Sequence, residues 1–170
     1  MFRSKRSVIS RVNGWDMITM GLSKDVFEND DDATNEAELA DIIERIYSVK
    51  MVRQRKFSQF DYMACKGSHI SAFVEMRCLN TQYNAQSGVI ISASKLLAAK
   101  TMIDISGVKH YFVVRWIDGV VGLAVINRFL KDGVKMVRSP ITDKRRNAPD
   151  DLEPVAYIPI EAFKVIVEKQ

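Results

Sequence analysis

In FDYMACKGSHISAFVEMRC (60–78), Asp61, Glu75 and Arg77 are of types that could act together on a charged group. Successive side chains on a strand point to opposite faces. Glu75 and Arg77 therefore share a face with Phe73, and Val74 and Met76 point the other way. KGS (66–68) reads as a three-residue hairpin loop closing Cys65 against His69. In that register Asp61 lies opposite Phe73 and diagonal to Glu75, on one face and within reach of a shared ion. A slip of one residue would part them. Two carboxylates so placed suit Mg²⁺, which takes oxygen ligands and keeps several waters. An ion there can activate water against a phosphate, with a cation beside it to hold that phosphate. Strand acids also occur as solvent-facing groups or as arginine partners, so spacing alone leaves both readings open.

The elements that must carry these residues follow from periodicity. NEAELADIIERIYSVKMVRQ (35–54) reads as a helix, with Asn35 and Glu38 at capping-box spacing. Its buried stripe is Leu39, Ile42, Ile43, Ile46 and Tyr47. FSQFDYMAC and HISAFVEMRCL flank the hairpin loop as strands. VIISASKLLAAKTMIDISG starts extended and becomes a helix, capped by Ser92 or Ser94 and stopped by Gly107. Leu96, Leu97, Ala99, Met102 and Ile103 form its apolar side. KHYFVVRWI and VVGLAVINRF are strands joined by a DG turn at Gly119. VAYIPIEAF is a late strand and turn, leading into a short tail. The fold class is α/β: one mixed central sheet flanked by helices. Residues 1–33 form an N-terminal arm and acidic linker ahead of a domain over 34–170.

Charge is uneven. Residues 24–44 hold nine acids and one lysine within a chain of net charge +4, so the remainder is strongly basic. FRSKR (2–6), KMVRQRK (50–56) and KRR (144–146) are its densest clusters. Such asymmetry fits a polyanion partner, and equally a set of solvated basic faces. FRSKR and Trp15 could dock a protein partner or a second copy. Cys65 and Cys78 are expected as reduced thiols, since two cysteines make no disulfide framework. With only His69 and His110, and no clustered cysteines, zinc-finger and histidine-metal nuclease sites are excluded. His110, Phe112 and Trp116 are expected to pack in the core. No GxxxxGK[ST] or GxGxxG run occurs. Apolar runs such as VVGLAVI are strand-sized, and the basic start lacks a signal-peptide core, so no membrane association and a cytoplasmic location are expected.

The order helix, Asp61, turn, Glu75-x-basic, Ser/Lys helix and HYFVVRWIDGV resembles the PD-(D/E)XK nuclease superfamily. VAYIPIEAFKVI (155–166) is similar to the closing element of its small phage and bacterial members, and the likeness covers roughly residues 35–166. The resemblance implies a restriction-endonuclease-like fold with an αβββαβ core. It also implies Mg²⁺- or Mn²⁺-dependent phosphodiester hydrolysis, as a DNA endonuclease of phage or mobile-element origin working in the host cytoplasm. Asp61 matches the first metal-binding aspartate and Glu75 the acid of (D/E)xK, while Arg77 stands where the family has its catalytic lysine. Glu44 matches a helix carboxylate that some members add to the metal site, and Lys95 an early basic residue of the second helix. Gln82, Tyr83, Arg115, Lys144, Arg145 and Arg146 are candidate nucleic-acid contacts. Arginine stays protonated and is a poor proton acceptor. Arg77 therefore serves as an electrostatic partner, or Lys95 or Lys66 reaches the site, or catalysis is lost and a nucleic-acid- or protein-binding module remains. A homodimer suits the resemblance, because cutting both strands of a duplex needs two sites.

Overall fold

The computed structural model describes residues 30–55, 58–126, 136–138 and 154–168 of the chain. In chain order the elements are helix α1 (Asp30–Tyr47), strands β1 (Lys50–Arg53), β2 (Tyr62–Lys66), β3 (His69–Leu79) and β4 (Gly88–Ser92), then helix α2 (Ala93–Ser106). Strands β5 (Lys109–Trp116), β6 (Val121–Val125), β7 (Met136–Arg138) and β8 (Pro154–Pro159), a 3₁₀ turn (Ile160–Ala162) and β9 (Lys164–Val167) follow among the described residues. The αβββαβ order is present, with additions. The expected mixed central sheet has six strands in the order β1-β2-β3-β5-β6-β9, and a second sheet of three, in the order β4-β8-β7, is added to it.

β3 is central to the larger sheet. It pairs antiparallel with β2 and parallel with β5, and β4 with α2 supplies the crossover that parallel pairing requires. Leu39, Ile43, Tyr62, Val74, Met76 and Val113 form the core beneath α1. Phe112, Val114, Trp116, Leu96, Ala99, Ile91, Ile158 and Phe163 form the core of the other face, beneath α2 and the small sheet. β3 is therefore covered on both sides, the setting in which a strand carries a near-continuous apolar run. Glu75 and Arg77 interrupt that run on the α2 side.

α1 starts at Asp30, five residues ahead of Asn35. It stops at Tyr47, where Ser48 takes a left-handed conformation (φ 53°). The expected helix over 35–54 therefore ends early, and its last residues pair with β2 as β1. Ile46 and Tyr47, expected in the buried stripe, are 44% and 42% exposed. α2 is capped by Ser92, which accepts from the Ser94 amide, and ends at Gly107 (φ 67°) as its sequence requires. Its Leu97 is 64% exposed, so the apolar side narrows to Ala93, Leu96 and Ala99. The expected tail is β9, paired with β6. Cys65 and Cys78 are not joined in a disulfide. Among the described residues no helix is long and apolar enough to cross a membrane.

The two strands that anchor α2 approach closely at Gly88. A Cβ there would sit 2.3 Å from the Ile158 carbonyl oxygen and 2.6 Å from the Tyr157 ring. Gly88→Ala must therefore force β4 away from β8. A loss of about 2–4 kcal/mol is expected, read as a lower urea midpoint at unchanged m value. An unchanged midpoint would contradict this packing.

Candidate active site

Asp61 precedes β2 and is fixed by three backbone hydrogen bonds. Its amide donates to the Val74 carbonyl (3.1 Å), its carbonyl accepts from the Gln54 amide (2.8 Å), and its Oδ2 accepts from the Met76 amide (2.8 Å). The hairpin differs from the expected one. Lys66 pairs with His69 around a two-residue Gly67-Ser68 loop, and a bulge follows at Ala64/Cys65. Together these move the register by two residues. The ladder's last pair is Tyr62 with Val74, so Asp61 falls just beyond it, and its side chain meets that of Glu75. A two-residue shift keeps side-chain parity, so the shared face survives.

Lys95, the third residue of α2, meets both acids. Its Nζ lies 2.9 Å from Glu75 Oε2 and 3.2 Å from Asp61 Oδ1. The three side chains are largely enclosed, at 13% exposure for Glu75, 25% for Asp61 and 29% for Lys95. Beside them on this face lies an aromatic floor of Phe60, Phe73 and His110. Phe60 and Phe73 have centroids 4.5 Å apart, and His110 lies 6.3 and 6.2 Å from them. His110 is buried as expected.

Two carboxylates and one ammonium leave an excess negative charge in an enclosed space. Glu75 absorbs it: burial first, and Asp61 second, push its carboxyl up to about 8 despite Lys95. Burial alone would lower the Lys95 ammonium, but Glu75 and Asp61 outweigh it and hold it above the usual lysine value. Burial, with Lys95 adding to it, presses His110 down to about 4.

These shifts have a stability consequence. Glu75 binds its proton more tightly folded than unfolded, so its contribution is present at low pH and is lost as pH rises from about 4.5 towards 8. His110 acts the other way, favouring the folded state as pH rises from about 4 to 6.5. The two oppose each other below 6.5 and leave Glu75 alone above it. Metal-free protein should therefore lose about 1–2 kcal/mol between pH 6.5 and 8. Urea midpoints should show this slope in wild type and not in Glu75→Gln; equal slopes would contradict it.

The remaining sequence candidates are placed elsewhere or outside the described residues. Arg77 shares the Glu75 face, but its Nη1 donates to the Ile90 carbonyl (2.6 Å) on β4. Glu44 accepts from the Met51 amide (2.6 Å), joining α1 to β1. It does not join Asp61 and Glu75, and no group of three metal-ligating side chains occurs among the described residues. Arg115 lies on the α1 side, where Glu38 (2.9 Å) and Asn35 (2.6 Å) hold it. It lines a cleft of about 570 Å³ with Asn80, Trp116 and Asp118, away from both acids. The Tyr83 ring packs edge-on against Trp116 (4.9 Å). Gln82 is exposed in the β3–β4 loop. Lys66 is exposed at the hairpin tip and Lys95 occupies the site instead. Lys144, Arg145 and Arg146 lie outside the described residues. Sequence reasoning missed Phe60, Ile90 and the Met76 amide, since none carries a chemical signal in its residue type.

Residues 22–166 match the family model for phage PDDEXK endonucleases. The chain belongs to the phage PDDEXK endonuclease family. No curated protein matches it. Among solved structures, Hjc of Archaeoglobus fulgidus, a Holliday junction resolvase from an archaeal hyperthermophile, aligns with a TM-score of 0.54 at 12% identity. The alignment covers 80% of this chain and 92% of Hjc, a likeness of fold. The phage PDDEXK endonuclease thus has a restriction-endonuclease-like fold and is a nuclease by family. Its Glu75-x-Arg77 departs from the family's acid-x-lysine pattern on the same strand that holds the site.

Proposed function

We propose that this phage PDDEXK endonuclease hydrolyses DNA phosphodiesters with Mg²⁺ or Mn²⁺, and that Asp61, Glu75 and Lys95 do the work. The observation that carries this reading is the Lys95 ammonium set against two facing carboxylates. The donor set fits a hard divalent ion: two enclosed carboxylates, one of them retaining a proton near neutrality to relieve excess negative charge. Two carboxylates are also what Mg²⁺ uses where it keeps most of its water. Asp61 and Glu75 would hold the ion, and Glu75 would give up its proton to do so. A bound ion supplies Lewis acidity towards water and the scissile phosphate.

The chain supplies the rest. The Met76 amide holds Asp61 Oδ2, and so fixes the direction of Oδ1, the oxygen that faces Lys95. Lys95, carried on the first turn of α2, donates to phosphate oxygen as negative charge grows there. Phe60, Phe73 and His110 keep bulk water from one side and so strengthen each charge in the site. A duplex needs two such sites to be cut through, so two copies are expected to act together on it. The binding-module alternative is disfavoured because Lys95 stands where Arg77 leaves a gap.

Incubation of the protein with supercoiled plasmid, linear duplex, single-stranded DNA and RNA, each with Mg²⁺, Mn²⁺ or EDTA, tests this. Cutting of DNA with either metal and none in EDTA is expected. Absence of cutting on every substrate, together with absence of metal uptake, would leave a binding module.

A further inference from the structure

Arg77 reaches out of its own sheet. Among the described residues β4 has β8 as its one strand neighbour, and the Ile90 carbonyl on β4 receives Arg77 Nη1 at 2.6 Å. Two residues after Ile90, Ser92 caps α2 through the Ser94 amide (3.2 Å). Lys95 follows at once on the first turn. No loop intervenes between the carbonyl that Arg77 holds and the lysine that meets Glu75. Arg77 and Glu75 also lie two residues apart on β3, so one strand carries both ends of the arrangement. A guanidinium–carbonyl bond is charge-assisted, stronger than a neutral one and directional. Arg77 is exposed, so the bond adds little to global stability, but it fixes where α2 begins relative to β3. A compact, rotatable ammonium at position 77 lacks the planar fork that directs this bond.

We propose that Arg77 is a positioning residue that ties the β4–α2 junction to β3 and so sets Lys95 against Asp61 and Glu75, a role that rests on the nuclease site proposed above. Arg77 does not contact the reacting atoms. An arginine at the motif position is then coupled to a lysine on the helix: one holds the junction, the other supplies the charge.

Arg77→Met tests this through three readouts. Backbone hydrogen exchange over residues 91–98 of the metal-free protein should quicken by about tenfold or more. The salt dependence of binding to a labelled duplex in EDTA should match wild type, since no phosphate contact is lost. Under Mg²⁺, kcat should fall by about 10- to 100-fold with KM within about twofold, the signature of a misplaced group. Arg77→Gln replaces Arg77→Met if the latter does not fold. Unchanged exchange overturns the proposal. So does a salt slope shallower by about one phosphate, which would make Arg77 a substrate contact. Exchange and salt dependence are read without metal or cleavage, so they decide the role of Arg77 even if wild type cuts nothing. That last result overturns the nuclease site instead.

Discussion

Lys95→Ala is expected to lower the single-turnover rate of DNA cleavage by about 10²–10⁴-fold, the range for losing one positioned charged group. Lys95 is the cation that touches both Asp61 and Glu75, while Arg77 is engaged with Ile90. Metal affinity should move the opposite way. The ammonium occupies Asp61 Oδ1 and Glu75 Oε2, so its removal frees both oxygens and should tighten divalent binding or leave it unchanged. Loss of cleavage with retained metal separates Lys95 from the metal-holding acids. Adding Arg77→Lys to Lys95→Ala should recover part of the lost rate, because position 77 projects from the Glu75 face. Failure of that double variant to exceed Lys95→Ala would mean that residue 77 cannot reach the site at all.

Glu75→Gln should remove both functions together. The amide keeps the shape but loses the charge and half the acceptor capacity. Divalent affinity should fall by about 10- to 100-fold or more, and cleavage by about 10³-fold. Wild type should also show a signature that an ordinary exposed carboxylate would not. With Glu75 protonated up to about pH 8, uptake of Mn²⁺ at pH 7 must expel that proton. Calorimetry in two buffers of different ionisation enthalpy should count about one proton released per ion, and Glu75→Gln should release none. Metal uptake without proton release would mean that Glu75 is already ionised and that the enclosed pair is weaker than described.

The site was legible in the sequence to the extent that period-two alternation governs it. Glu75 and Arg77 had to share a face, and Asp61 had to be across the hairpin. The register was not legible, because Gly67-Ser68 and the bulge at Ala64 change the pairing without any residue type that announces a bulge. The site survived since the two errors sum to an even shift. Lys95 was visible as an early helix lysine, but spacing could not choose among Lys95, Lys66 and Arg77. That choice depends on how α2 packs against β3. The setting of Arg115 was not legible for the same reason: its parity puts it on the α1 side, where Glu38 and Asn35 bind it. β1 was hidden because SVKMVRQ continues a helical pattern, and only the left-handed turn at Ser48 breaks it. The second sheet was hidden too. β4 and β8 lie more than sixty residues apart, and their pairing rests on a close approach at Gly88 that no local pattern encodes.

Nicking of supercoiled plasmid by wild type and Lys95→Ala, at saturating Mn²⁺ with metal uptake measured on the same preparations, tests the central claim most directly. Cleavage by wild type alone, with both proteins binding the ion, is the predicted result. Equal cleavage by the two would contradict the assignment of Lys95 as the cation that completes the Asp61–Glu75 site.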